Sequence, residues 1–309
     1  MYNCIIIAGP TASGKTKISI ELAKKLNGEI VNADSMQVYK ELNIGTAKIT
    51  EKEKENIPHH LFDFVDKFND FTVADYREVA YPLILDLIKQ GKTPIIVGGT
   101  GFYINSLLYN FDYGNSSKNE IIRKKYEDLA DKFGCEYVYN ILKEVDFETA
   151  KKLHPNDLKR VIRAIEIYET TGNKKSAMQN TMQTFTTALK PLIIGLTMDR
   201  SILYDRINQR VDIMIKDGLI DEVKNLVKSG LNLSHQSMNG IGYKEILSYL
   251  NNEISLEDAV ELIKKHTRNY AKRQITWFKK LQTIKWFNLS NGINSEIINE
   301  ISNEYLSSK

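Results

Sequence analysis

The chain has 309 residues, 42% hydrophobic and 26% charged, with a formal net charge of +3. These proportions give a globular protein with a sizeable core, built as one large domain or two ordinary ones. They exclude a disulfide-built scaffold, because there are only two cysteines, Cys4 and Cys135, and a helical membrane protein, because no apolar run approaches the ~18 residues of a span.

Residues 4–8 read as a buried strand running straight into a glycine-rich loop, so they are not the core of a signal peptide. A helix over 14–26 follows, with Ile18, Leu22 and Leu26 on one face. Residues 29–33 form a second strand ending at Asp34, and 61–65 a third. A helix over 73–90 is closed by Gly91. Residues 94–97 form a strand that runs into Gly98-Gly99-Thr100-Gly101, and 102–108 are helical. Strands alternating with helices predict an α/β fold, a parallel sheet covered by helices.

From 117 to 187 the pattern turns all-helical, with helices over 121–133, 135–145 and 155–171. His154-Pro155-Asn156-Asp157 reads as a helix start with Pro155 in the first turn, and a Thr/Gln/Asn-rich linker occupies 179–187. The apolar run 192–198 rejoins the sheet. Helices follow over 201–216, 220–228, 244–250 and 256–281. The expected organisation is a core of 1–116 and 188–309 with a helical insertion at 117–187.

Gly9, Pro10, Thr11, Ala12, Ser13, Gly14, Lys15 and Thr16 fit G-x-x-x-x-G-K-[ST] at every fixed position, after a strand and opening a helix. Such a loop turns backbone N–H groups and a helix N-terminus onto phosphate. Lys15 adds a charge, and the Thr16 hydroxyl can hold Mg²⁺. A nucleoside triphosphatase would place an Asp at the end of an apolar strand for its magnesium shell; here the strand ends in Gly98-Gly99-Thr100. The acid stands at Asp34 instead, where it can bind metal, act as a general base or cap a turn. In parallel sheets the ligand crevice lies beyond the strand C-termini, so Asp34 and Thr100 should both face the phosphates.

Charge is unevenly spread. Lys264, Lys265, Arg268, Lys272, Arg273, Lys279 and Lys280 carry seven positive charges in a stretch with no acidic residue, interleaved with Tyr270, Trp277 and Phe278. That combination suits RNA backbone and stacking, although aromatics at helical spacing also suit a core, and packing is the reading for Trp277 and Phe278. His59-His60 has no companion cluster in sequence and reads as structural.

These blocks together carry a resemblance. GPTASGKT, DSMQVY at 34–39, IGTAK at 44–48, IPHHLFD at 57–63 and VGGTGFY at 97–103 occur in order. HPNDLKRVIRAIEIYETTG at 154–172, DRSILYDRINQRVDIMIKDGLIDEV at 199–223, IGYKE at 241–245 and TRNYAKRQITWF at 267–278 follow. The chain resembles the tRNA dimethylallyltransferases, also called tRNA isopentenyltransferases, and no zinc-finger pattern follows, as in their bacterial form. The resemblance implies that the cradle holds the pyrophosphate of dimethylallyl pyrophosphate. The allyl group would pass to N6 of the adenine 3′-adjacent to the anticodon, in tRNAs reading codons that begin with U.

Such a transfer needs cations around a leaving diphosphate and an acceptor for the amine proton. Lys15, Mg²⁺ on Thr16, and Arg206 and Arg210, four apart on one helical face, supply the first. Asp34 is the expected base, with Thr100 near the reacting centre. The resemblance implies tRNA contacts for Asp34, Ser35, Met36, Gln37, Thr100, Arg123 and the run Lys159, Arg160, Val161, Ile162, Arg163; the basic stripe adds Lys272 and Arg273. The expected partners are the tRNA anticodon stem-loop and dimethylallyl pyrophosphate, for a cytoplasmic monomer away from membranes. Rival readings are a small-molecule or nucleotide kinase, prenyl transfer to a free adenine nucleotide, and a non-catalytic RNA-binding protein with a dead loop.

Overall fold

The computed structural model describes residues 2–109, 119–179, 188–281 and 283–308. In chain order the elements are β1 (Cys4–Ala8), α1 (Lys15–Leu26), β2 (Gly28–Asn32), β3 (His59–His60), α2 (Val73–Lys89), β4 (Thr93–Gly98) and α3 (Gly101–Leu108). There follow α4 (Glu120–Phe133), α5 (Cys135–Val145), α6 (Phe147–Ala150), α7 (Leu158–Thr171) and α8 (Lys175–Gln179). The chain continues through β5 (Pro191–Thr197), α9 (Arg200–Lys216), α10 (Leu219–Lys228), α11 (Tyr243–Leu250), α12 (Leu256–Phe278), β6 (Lys285–Asn288) and α13 (Ser295–Ser307). Among the described residues no helix is long and apolar enough to cross a membrane.

The backbone divides into two compact units, Met1–Leu107 with Thr187–Lys309, and Leu108–Thr186. The first is an α/β unit around one parallel sheet of order β3-β2-β4-β1-β5-β6. Its central strands are apolar on both faces, as a sheet covered twice requires. Ile5, Ile7, Ile95 and Ile194 pack with Ile18 and Leu22 of α1 and with Ile298 and Ile301 of α13. The second unit is helical, and its core joins Val138 and Leu142 of α5 to Val161, Ile162 and Ile165 of α7.

Four sequence expectations change. The third strand is His59–His60, not 61–65: Leu61 and Asp63 take positive φ (62° and 53°), which turns the chain, and only Val65 bridges back, to Tyr39. Helix α7 opens at Leu158, so Pro155 stands in a preceding turn in which the Asp157 N–H donates to the His154 carbonyl (2.8 Å). Helix α12 stops at Phe278 rather than 281. Beyond it the chain adds β6 and α13, where sequence reasoning assigned nothing; four residues of β6 are too few to show a period. Most of the linker over 179–187, and the expected start of the insertion at 117, lie outside the described residues.

Candidate active site

The glycine-rich loop leaves the C-terminal end of β1, flanked in the sheet by β4 and β5. Ala12 (φ 62°) and Gly14 (φ 92°) adopt left-handed backbone, which folds the loop over the start of α1. Gly14 is the N-cap and offers α1 no side-chain cap, so the helix keeps its first N–H groups for an anion. Among the described residues the Ser13 hydroxyl, which is buried, has no hydrogen-bond partner. Lys15 folds back on the loop: its Nζ donates to the carbonyls of Gly9 (3.0 Å) and Pro10 (2.8 Å). Burial pushes its pKa down to about 8; the charge of Asp34 opposes this and Arg210 adds to it.

Asp34 and Thr100 sit on adjacent strand ends, at the same edge of the sheet as the loop. The Asn32 side chain accepts from the Asp34 N–H (3.0 Å), and Asp34 Oδ1 accepts from the Met36 N–H (2.9 Å), so the turn after β2 is held from within. The Ser35 N–H donates to Thr100 Oγ1 (3.0 Å), and the Thr100 N–H to the Ala33 carbonyl (3.2 Å). This close approach requires Gly98, where a Cβ would lie 2.0 Å from the Ala33 oxygen.

Two helices close on the loop. Arg210 of α9 reaches Thr11 Oγ1 (Nη1, 3.5 Å), and burial lowers its pKa. Arg206, one turn earlier and half-buried, makes no such bond among the described residues. From α12, Gln274 Oε1 accepts from the Thr11 N–H (3.0 Å) and its Nε2 donates to the Gly99 carbonyl (3.0 Å). Tyr270, one turn back, is pushed up to about 12 by burial and then by the charge of Asp34; its hydrogen bonds with Thr100 and Gln274 oppose this. Sequence reasoning gave Tyr270 to RNA stacking and passed over Gln274. A lone Gln on a basic helix carries no signal until the fold shows which face is buried.

The segment after Asp34 is fixed from a distance. Gln37 Nε2 donates to the carbonyls of Thr46 (3.0 Å) and Ala47 (3.4 Å), which commits its amide nitrogen to the chain. Glu222 of α10 accepts from the N–H groups of Asn43, Ile44 and Gly45 and from the Tyr243 hydroxyl (2.8 Å). Met36 packs against Gly240, where a Cβ would lie 2.7 Å from its Cε.

In the helical unit Lys159 and Arg160 are exposed, and Arg160 pairs with Asp157 (3.1 Å). Val161 and Ile162 are 0% and 3% exposed in the unit's core, so the expected tRNA contact does not extend to their side chains. Arg123 and Arg163 converge on Glu166, a fully buried carboxylate that accepts from Arg123 Nε and Nη2 (both 3.1 Å), Arg163 Nη1 (2.7 Å) and the Asn119 N–H (2.7 Å).

The basic stripe is partly neutralised by residues remote in sequence. Lys264 pairs with Asp212 of α9 (2.9 Å), and Arg268 donates to Asn208 (2.6 Å). Lys272 and Arg273 are exposed, with Lys272 Nζ 6.0 Å from the Tyr204 ring centre. Phe278 is buried and Trp277 packs on Phe102 (4.5 Å between ring centres), as expected of packing residues. His60 Nε2 pairs with Glu29 (2.7 Å) and His59 Nδ1 lies against the Ile57 carbonyl (2.7 Å).

A phosphate loop, an acid and a hydroxyl on neighbouring strand ends, and an arginine from a following helix define a P-loop α/β protein equipped for chemistry on a phosphorylated substrate. Family models place it more narrowly: that for IPP transferase matches residues 37–281 and that for isopentenyl transferase residues 2–63. The chain belongs to the IPP transferase family. It is 51% identical over 307 residues to the tRNA dimethylallyltransferase of Thermoanaerobacter sp. (strain X514), covering 99% of this chain and 98% of that one. With the same enzyme of Caldanaerobacter subterraneus it shares 50% identity over 312 residues, 99% of this chain and 98% of that. Among solved structures it is similar to the tRNA isopentenylpyrophosphate transferase of Bacillus halodurans (TM-score 0.75, 41% identity, 99% of this chain and 96% of that). It is also similar to a eukaryotic dimethylallyltransferase acting on tRNA (TM-score 0.84, 34% identity, 100% of this chain and 80% of that).

Proposed function

We propose that the protein transfers the dimethylallyl group of dimethylallyl pyrophosphate to N6 of the adenine 3′-adjacent to the anticodon, in tRNAs reading codons that begin with U, and releases pyrophosphate. The observation that carries this reading is the pairing of the phosphate loop with Asp34 and Thr100 on the next strand ends, tied through Ser35 N–H to Thr100 Oγ1. The names of the relatives support it.

The adenine amine attacks the allylic carbon as the carbon–oxygen bond to the diphosphate breaks. Asp34 takes the amine proton, and Thr100 lies beside the reacting centre. Lys15, Arg210, Arg206 and the loop amides carry the charge that develops on the leaving diphosphate. The donor set fits Mg²⁺: Thr16 is exposed at the start of α1, and a hydroxyl with diphosphate oxygens and water is the ligand type this ion takes. When bound, Mg²⁺ neutralises part of the diphosphate charge. The target base is extruded toward the site, where Met36 offers an apolar wall and the Gln37 carbonyl an acceptor. Ser35, Arg123, Lys159, Arg160, Arg163, Lys272 and Arg273 are proposed tRNA contacts, in an enzyme acting as a cytoplasmic monomer on the anticodon stem-loop.

A small-molecule or nucleotide kinase is the less favoured reading, because the strand that would present the magnesium-shell acid ends in Gly98-Gly99-Thr100. The direct test supplies unmodified tRNA and Mg²⁺ with allyl-labelled dimethylallyl pyrophosphate in one reaction and γ-labelled ATP in another. Label entering tRNA with ATP intact is the expected result. ATP consumption without allyl transfer would overturn the proposal in favour of a kinase.

A further inference from the structure

We infer that Gln274 is a positioning residue whose buried amide stitches the phosphate loop to the Gly99–Thr100 loop, and so sets the spacing between leaving group and acceptor side. The inference rests on the transfer reading above and assigns a task to a side chain outside the cradle, the base and the arginines.

Gln274 is only 5% exposed, and both ends of its amide are spent on main chain. Oε1 takes the Thr11 N–H and Nε2 gives to the Gly99 carbonyl, each at 3.0 Å. The two bonds need opposite ends of one amide, so its orientation is fixed; flipped, it would oppose N–H to N–H and carbonyl to carbonyl. The loop it holds on one side carries the diphosphate. The loop on the other side continues directly into Thr100. Gly99 is shaped to this contact: a Cβ there would lie 2.1 Å from Gln274 Nε2, and its nearest neighbour outside Gln274 is the Gly9 carbonyl oxygen at 3.7 Å.

A displacement needs its reacting atoms about 3–3.5 Å apart and aligned, and a misplacement of about 1 Å costs on the order of 10²-fold. Gln274→Met keeps the length and burial of the side chain and removes both bonds. With saturating labelled dimethylallyl pyrophosphate and unmodified tRNA, its single-turnover rate should fall at least about 30-fold. Binding of pyrophosphate and of tRNA should stay within about threefold, and the melting temperature within a few degrees, because both ends of the amide are spent on main chain. Gly99→Ala pushes the amide away from the other side and should slow transfer about tenfold or more in the otherwise native enzyme. On a Gln274→Ala background, where the space is free, it should add less than about twofold, which traces the loss to displacement of the amide.

Unimpaired transfer by Gln274→Met overturns the inference. So does loss of rate matched by loss of pyrophosphate affinity, or additive behaviour of the two substitutions; if Gln274→Met fails to fold, the cycle with Gly99→Ala decides. Wild-type protein run alongside separates the claims: no label transfer by wild type overturns the transfer reading and this inference with it, whereas normal wild-type transfer with an unaffected Gln274→Met overturns this inference alone.

Discussion

The ammonium of Lys15 lies 2.8 Å from the carbonyl oxygen of Pro10, inside the loop that both residues help to build. The lysine thus holds its own cradle in shape, and it must exchange these carbonyls for phosphate oxygens when an anion enters.

The exchange should be visible in pH. The Lys15 pKa is pushed by burial from 10.5 to about 8, and a diphosphate favours the charged form. Below about 8 the lysine already carries its proton. Above it, pyrophosphate must bring a proton with it, and affinity falls by up to about tenfold per pH unit. Titrating pyrophosphate into wild type and Lys15→Met from pH 7 to pH 10 should show the wild-type advantage shrinking as pH rises. An advantage that holds constant would mean that Lys15 keeps its ordinary pKa.

Asp34→Asn keeps an acceptor for the Met36 N–H and so keeps the turn, but removes the proposed base. Transfer should fall about 10²–10⁴-fold, while tRNA affinity measured by filter binding changes by less than about threefold. Equal loss of both would assign Asp34 to binding.

The two arginines of α9 should separate. Arg210 reaches Thr11 and lowers the Lys15 pKa, and Arg206 does neither. Arg210→Ala should weaken pyrophosphate binding about 10- to 100-fold, the worth of a charge-assisted hydrogen bond. Arg206→Ala should cost less than about threefold, because this half-buried guanidinium makes no bond to the loop among the described residues. Calorimetry on the two variants checks the order.

Glu166→Ala should destabilise the helical unit by roughly 3–5 kcal/mol, because two arginines lose the buried carboxylate they face. Burial alone would raise the Glu166 pKa, but bonds from Arg123 and Arg163 outweigh it and hold the carboxyl below its ordinary 4.5. Its folded pKa is therefore the lower one. The stabilisation is fully present above pH 4.5 and is lost as pH falls through the folded value. Amide exchange along α4 and α7 at pH 7 should speed up in the variant, and tRNA affinity should drop as the two guanidinium groups lose their fixed orientation.

Local patterning determined much of this protein. An apolar run into a P-loop, helical periods in α1, α2, α4 and α5, and the run that becomes β5 all follow from the next few residues, and they suffice for a parallel α/β sheet with helical elements between its strands. The loop itself was legible for the same reason, since the spacing of its glycines and of Lys15 and Thr16 is a short-range pattern. What short-range pattern could not carry is what distant segments decide. Residues 61–65 look apolar enough for a strand, yet the turns at Leu61 and Asp63 leave only His59–His60 to pair with β2. Val161 and Ile162 sit in a run of cations, yet the helix turns them into a core. The stripe on α12 reads as free charge, yet α9 supplies Asp212 and Asn208 to meet it.

The same holds at the site. Thr11 and Gln274 are 263 positions apart, Gly45 and Glu222 177, and no period links such pairs. By itself the sequence indicated the groups of a phosphate-type loop and four of the six strands, β1, β2, β4 and β5. Only the tertiary structure decided which distant amides, carboxylates and phenols lock those groups in place, because hydrogen bonds between far segments depend on the folded path of the chain and leave no repeat in the order of its residues.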